Sequence, residues 1–436
     1  MNPISQGILK RLRQPGNIAK ATLPDEFVWP AYDGYSLANV APTVLRHFGV
    51  GGIRSPGLAE EVVGGELVGA EKLVVALVDA LGYLTLTQAM DSGTVPGFHA
   101  LAERGRFVPL TSVFPSTTAA ALSSFHTGLP PAGHGVAGYR MYMPDRGYVA
   151  NMIRLSPEAD ERFGRMLLNS GDARTLLGVP TVHSLLTAAG VSSYCMIHRS
   201  LAHSGLSEML YDGATDVIPF VNASDLFIQV RTMLTSDPGR PSCIWLYTDT
   251  MDTIQHKYGT RGEEPEGEIH SLGYAIEREL LSPLESHDVS AAFMLLADHG
   301  HIQVDEADIV PVAALRGLDH RLAAPPTGTA RSAYFHARDG AVTDVMSALE
   351  SGLAGAAFVV ETETALADGL WGNGPRAPGL SGRIGDVLAL MRGSATLFHA
   401  YRDDAVPSDI AGGRHGGLHE REMLIPFFIA RLGRRR

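Results

Sequence analysis

Three stretches of this chain are apolar without interruption and of strand length: LVVALV within Lys72–Val78, CIWLY within Ser242–Tyr247, and AAFMLLA over Ala291–Ala297. A half-exposed strand alternates apolar and polar residues, whereas a strand covered on both faces reads as a continuous apolar run. Strand-like segments at Phe107–Phe114 and Ser192–Ile197 and helix-like segments at Val182–Ala189, Ala223–Leu234 and Ile269–Leu280 fall between and around these runs. Strands alternating with helices argue an α/β fold, with a mostly parallel central sheet flanked by helices.

The chain has 436 residues and is 45% hydrophobic, which suits two or three structural units at roughly 100–200 residues each. The texture divides it into a core over 1–302 with an irregular N-terminal extension, a smaller inserted α+β subdomain over 303–400, and a return to the core over 401–436. A helix is expected near Leu37–Phe48, and a last helix or strand near Glu422–Ala430. The inserted segment is expected to form a lid or side wall that sets the leaving group, with Arg331, Tyr334 and His336 as candidates to line the pocket.

The charge balance is 35 basic against 47 acidic side chains, a net charge of −12. Such a surface is ill suited to neutralising a nucleic-acid duplex. Two cysteines, Cys195 and Cys243, sit in strand-like apolar runs and exclude a disulfide framework or a thiolate zinc cluster. No apolar run reaches the roughly 18 residues of a membrane span, and the first residues lack the apolar stretch of a secretory signal. A cytoplasmic protein without membrane association is the expectation.

Chemistry gathers where the apolar runs end. Asp79 follows the first, Asp249 and Asp252 the second, and Asp298-His299-Gly300-His301 the third. In an open α/β sheet the ligand crevice lies beyond the carboxyl ends of the strands, so these side chains are brought to one edge. Asp252 and His256 are spaced i, i+4 and share a face if their segment is helical. His415 lies in the glycine-rich Gly412–Gly417. Taken singly, Asp79 fits a helix cap, Asp298-His299 a strand-end turn with Gly300 at positive φ, and His415 an ordinary loop residue. As a set they form a carboxylate–imidazole donor collection without thiols, suited to zinc or manganese. Ser116-Thr117-Thr118 opens an Ala/Ser-rich helix, where a hydroxyl serves either as a cap or as a nucleophile beside a metal.

These segments resemble the alkaline phosphatase superfamily, and within it the type I nucleotide pyrophosphatase/phosphodiesterase family. The resemblance rests on VVALVDALG, FPSTTAAALSSFHTGLPPAGHG, YTDTMDTIQHKYG and LLADHGH in that order, closed by RHGGLHERE. It covers the chain from about Lys72 to His301 and returns near His415. In that superfamily the nucleophilic hydroxyl lies nine positions before the Thr of a Thr-Gly pair; Thr127-Gly128 therefore selects Thr118 over Thr117. The resemblance implies two divalent ions, zinc or else manganese. Asp252, His256 and His415 would hold one, and Asp79, Asp298, His299 and Thr118 the other. His301 has no counterpart and is read as a neighbour of the ligands or a surface residue, and Asp249 as a structural cap. Where many family members carry an Asn that donates to phosphate, 21 positions after the nucleophile, this chain has Tyr139, followed by Arg140. Both become candidate substrate-binding residues. The implied activity is hydrolysis of phosphodiester or pyrophosphate bonds of a small-molecule ester or nucleotide through a phospho-threonine. The alternatives are a phosphomonoesterase of the same superfamily and an inactive metal-binding scaffold.

Overall fold

A computed structural model describes residues 2–51, 55–166, 176–202, 204–236 and 240–434. The strands that matter for the site are β1 (Lys72–Val78), β2 (Gly105–Thr111), β3 (Ser192–His198), β4 (Asp216–Phe220), β5 (Ser242–Thr248), β6 (Ala291–Leu296) and β7 (Leu424–Leu432). They form one seven-stranded sheet in the order β2-β7-β6-β1-β5-β3-β4. β1 pairs in parallel with both β5 and β6, and β3 in parallel with β5 and β4. β7 runs antiparallel between β6 and β2. This is the expected α/β architecture with a mostly parallel sheet flanked by helices.

The continuous apolar runs have the expected cause. Every residue of β1 and of β6 is buried, because both strands are interior to the sheet and helices cover both faces. Burying such side chains is worth about 1.5–3 kcal/mol each relative to exposure. Two expected boundaries shift. The strand anticipated over Phe107–Phe114 spans Gly105–Thr111, and the element anticipated near Glu422–Ala430 is β7, preceded by a single helical turn at Glu420–Met423.

A second seven-stranded sheet, antiparallel throughout, runs in the order 357–361, 387–391, 332–335, 327–328, 140–143, 148–151, 156–157. It crosses the boundary expected from texture. Three of its strands come from 140–157, ahead of the 303–400 segment, joined where Gly328 pairs with Arg140. Pairing between segments so far apart leaves no local pattern in the chain. The sheet is covered on both faces by alternation of period two. Tyr334, Leu388 and Leu390 join the main core, while Ala333, Phe335, Val387, Ala389 and Met391 face a smaller core built with the helix Val342–Gly352.

A short antiparallel pair completes the frame. Ile302–Val304 pairs with Gly412–Arg414, Ile302 opposite Arg414. It ties the chain just after β6 to the glycine-rich segment, and so sets His301 beside His415. No helix among the described residues is long and apolar enough to cross a membrane.

Candidate active site

The carboxyl edge of the parallel strands carries the site. Asp79 leaves β1 as the strand ends, and its N–H donates to Thr248 O at the end of β5 (2.9 Å). The next residue, Ala80, holds φ at +63°, a left-handed conformation uncommon for a residue with a side chain. In that conformation Ala80 N–H donates to Asp298 Oδ1 (3.0 Å). Asp298 Oδ1 also accepts from His299 N–H (2.8 Å). The turn after β1 thus aims one acid and restrains the other.

Gly300 does not take the positive φ that a strand-end turn would give it. It serves close approach instead. A Cβ there would lie 2.2 Å from Arg421 O and 2.8 Å from Gly82 Cα.

Asp79, Asp298 and His299 are buried together and form one cluster of potential metal donors. His299 Nε2 lies 3.4 Å from Asp79 Oδ1 and 3.3 Å from Asp298 Oδ2. Neither of those carboxylate oxygens has a hydrogen-bond partner, although Asp79 Oδ2 accepts from Tyr247 OH. Burial, reinforced by the charges of Asp298 and Asp252, pushes Asp79 well above the usual carboxylate range. Burial likewise pushes Asp298 up to about 7, against the pull of the Ala80 N–H. Two crowded, desolvated carboxylates with free lone pairs require a proton or a cation.

Helix α1 (Thr118–Thr127) starts beside this cluster and ends at Gly128, whose φ of +68° closes it. Thr118 is its first residue, half-buried, with Oγ1 3.2 Å from His299 Nε2. Thr117 stands at the N-cap but makes no capping bond, and its buried hydroxyl has no partner. Ser116 Oγ donates to Gly417 O (2.8 Å). Of the three hydroxyls, that of Thr118 is the one placed against the cluster.

The second cluster comprises Asp252, His256, His301 and His415, whose donor atoms all lie within 4.8 Å of one another. Helix α2 (Thr250–Tyr258) supplies Asp252 and His256 from one face, with His256 Nε2 3.4 Å from Asp252 Oδ1. Asp249 occupies the N-cap of α2 without a capping hydrogen bond from its side chain, so the cap reading holds for its position alone. His415 arrives across the crevice, its Nε2 4.0 Å from Asp252 Oδ1 and its Nδ1 2.9 Å from Ser116 O. Burial depresses His256 to about 4 and His299 and His301 to about 3. It also drives His415 well below its ordinary value, helped by the neighbouring imidazoles. All four rings are therefore neutral near pH 7, the state in which imidazole ligates metals. His301 belongs to this cluster although the sequence reading set it aside. The signal available was its place three residues after Asp298.

The loop that carries His415 is clamped from both sides. Arg331 and Glu422 form an ion pair with both side chains fully buried, Nη2 to Oε2 2.9 Å. Glu422 Oε1 accepts from Gly417 N–H (2.9 Å), and Ser332 Oγ donates to Gly416 O (2.6 Å). Arg331 was expected to line a pocket. It is instead a buried anchor of this loop. Tyr334 also points into the core, its hydroxyl donating to Ala137 O (2.7 Å), and His336 bonds Thr327.

Arg140 begins a strand of the second sheet and Tyr139 directly precedes it, both outside the two clusters. Arg140 pairs with Glu158 (2.9 Å) and stacks over the rings of Tyr139 and Tyr401. Tyr139 OH accepts from Asn151 Nδ2 (3.1 Å). Both residues line a cavity of about 490 Å³ that also includes Thr329. Thr329 in turn packs on Gly416, where a Cβ would come within 2.3 Å of it. The cavity therefore borders the His415 loop, with the Arg140 charge engaged by Glu158.

Residues 73–418 match the family model described as type I phosphodiesterase / nucleotide pyrophosphatase. No curated protein sequence matches the chain. Among solved structures, murine ectonucleotide pyrophosphatase/phosphodiesterase 5 is similar with a TM-score of 0.59 at 16% identity, covering 82% of this chain and 87% of that one. An inactive threonine-to-alanine form of the same murine protein, in complex with AMP, gives 0.58 at 15% identity, with coverage of 82% and 87%. Phosphonoacetate hydrolase from Sinorhizobium meliloti 1021, in complex with phosphonoformate, gives 0.59 at 20% identity over 96% of this chain and 94% of that one. At these identities the likenesses show a shared fold.

Proposed function

The chain belongs to the type I phosphodiesterase / nucleotide pyrophosphatase family and is a phosphoric ester hydrolase; from that premise we propose that it cleaves phosphodiester or pyrophosphate bonds of small esters or nucleotides by a two-step transfer through phospho-Thr118. The observation that carries the reading is Thr118 Oγ1, 3.2 Å from His299 Nε2 at the rim of a buried two-carboxylate cluster.

The residues fit a pair of divalent ions. Asp79 Oδ1 and Asp298 Oδ2 are buried acceptors without donors, and the donor set of carboxylates and neutral imidazoles suits zinc or manganese. Asp79, Asp298, His299 and Thr118 would hold one ion, and Asp252, His256 and His415 the other. When bound, such ions supply Lewis-acid charge that favours a threonine alkoxide and neutralises non-bridging phosphate oxygens.

Thr118 Oγ1 attacks phosphorus, forming the Oγ1–P bond as the bond to the leaving oxygen breaks. Water then opens the ester and restores the hydroxyl. The first-turn N–H groups of α1 lack intrahelical acceptors and favour an anion at that end. Asp298 is kept in place by the Ala80 and His299 N–H groups, and His415 by Ser116 O.

A monoester carries one more negative charge than a diester. Arg140, a candidate substrate-binding cation, is neutralised by Glu158, which favours the diester. A cytoplasmic setting belongs to the proposal too, supported by two free, buried thiols. Turnover of bis-p-nitrophenyl phosphate, the nitrophenyl ester of thymidine monophosphate, p-nitrophenyl phosphate and phosphonoacetate tests it. Diester turnover is expected to lead. Faster turnover of the monoester or of phosphonoacetate would overturn the assignment, and no turnover of any would favour the scaffold reading.

A further inference from the structure

The four donors around Asp252 raise the question of which of them bind the ion. Four protein donors would fill a tetrahedral site, as structural zinc sites do, whereas three leave the open position a catalytic ion needs. The partners of Nδ1 set His301 apart from His415 and His299; His256 Nδ1 accepts from Arg414 Nη1, so its place among the ligands comes from the two-ion reading and not from these bonds. An imidazole that ligates through Nε2 ordinarily donates its Nδ1–H to a carbonyl, carboxylate or water. His415 has Ser116 O at 2.9 Å from Nδ1, and His299 has Gly300 O at 3.2 Å. His301 has nothing. Its Nδ1 is buried and without a partner, pressed against Gly413, where a Cβ would lie 2.4 Å away.

A proton on that nitrogen would be an orphaned buried donor, which is rarer than an under-satisfied acceptor. The proton therefore belongs on Nε2, which lies 2.9 Å from Asp252 Oδ1, and a carboxylate can only accept. We infer that His301 is a positioning residue rather than a metal ligand: its Nε2–H donates to Asp252 and aims that carboxylate, leaving Asp252, His256 and His415 as the protein donors of one ion with a position open to substrate. The ring is held for this task. It is fully buried and parallel within 5° to His415, centroids 4.9 Å apart. Ile302 begins the short pair that fixes it beside that histidine.

The inference rests on the two-ion reading above, and its test separates the two. Full-length wild-type protein and the His301→Gln and His301→Ala variants are loaded with zinc. Zinc affinity is read by chelator competition, and the wild-type zinc-loaded crystal structure is solved with anomalous data at the zinc edge. The glutamine amide places a donor near the same point as Nε2. His301→Ala is expected to weaken one of two zinc sites by about 10–100-fold, and His301→Gln to stay within about threefold of wild type. The ion is expected to lie beyond bonding distance of His301. A zinc–Nε2 distance of about 2.0–2.1 Å, or equal losses in the two variants, overturns the inference and leaves the two-ion reading standing. Failure of the wild type to bind zinc or manganese overturns both.

Discussion

Replacing Glu422 by Gln tests whether the His415 loop is held by charge. The change keeps the side-chain shape and an oxygen for Gly417 N–H, 2.9 Å from Oε1 in the native chain. It leaves Arg331, with a fully buried side chain, without its counter-ion. Breaking a buried pair from one side costs about 3–5 kcal/mol, because the remaining charge stays desolvated. At roughly 2.1 cal/mol/K per residue, the unfolding entropy of a 436-residue chain is about 0.9 kcal/mol/K, so melting should fall by about 3–5 °C. Removing the cation as well should return most of that loss, since replacing both partners of a buried pair is often close to neutral. The double variant Arg331→Met/Glu422→Gln then forfeits mainly the bond from Arg331 to Ala395 O, about 1 kcal/mol. The assay is calorimetric melting of the wild type, both single variants and the double, with zinc affinity measured in parallel. Because Gly417 lies two residues beyond His415, the single variant should also bind one zinc ion more weakly. A single variant that melts within 1 °C of wild type, to order of magnitude, refutes the reasoning. So does a double variant as damaged as Glu422→Gln.

Thr118→Ala should lower turnover by about 10³-fold or more, as expected for loss of a covalent nucleophile; a retained rate would assign the attack to Thr117 or to water. Chelation should abolish turnover, and zinc or manganese should restore it; activity that survives complete metal removal would defeat the two-ion reading. In the metal-free protein Asp298 is raised to about 7 and Asp79 is raised as well, so below about pH 7 a cation must displace protons. Apparent zinc affinity should therefore fall with falling pH, by about tenfold per unit for each proton displaced, and a flat profile from pH 7.5 to 5.5 would contradict it. His134 and His183 are neutral in the fold, held to about 3 by burial, against about 6.5 when unfolded. Their contribution is fully present above about pH 6.5 and declines towards pH 3, by roughly 1.4 kcal/mol per unit each. Urea midpoints should drop over that window, and His134→Gln or His183→Gln should flatten the drop.

Local patterns made much of the site legible. The apolar runs betrayed interior parallel strands, and the acids at their ends had to share an edge because parallel strands present their carboxyl termini together. The i, i+4 spacing of Asp252 and His256 needed only a helix, and α2 provides it. Only the superfamily resemblance, through its spacing to Thr127-Gly128, singled out Thr118 over Thr117, and the structure sets Thr118 against His299. The pairing of Arg140 was not legible, because a guanidinium in a sequence carries no sign of its partner. Glu158, two strands along the second sheet, neutralises it.

Amino-acid order alone determined which segments are strands and helices, and hence which edge collects the acids, since side-chain periodicity and turn chemistry act over a few residues. Tertiary structure decided the rest. It brought His415 across to Ser116 and Asp252, placed His301 in the cluster, buried Arg331 against Glu422, and built one sheet from 140–157 and 327–391. Those outcomes depend on pairings between residues dozens to hundreds of positions apart. They are stabilised by desolvation and hydrogen bonding that exist only once the chain has closed on itself.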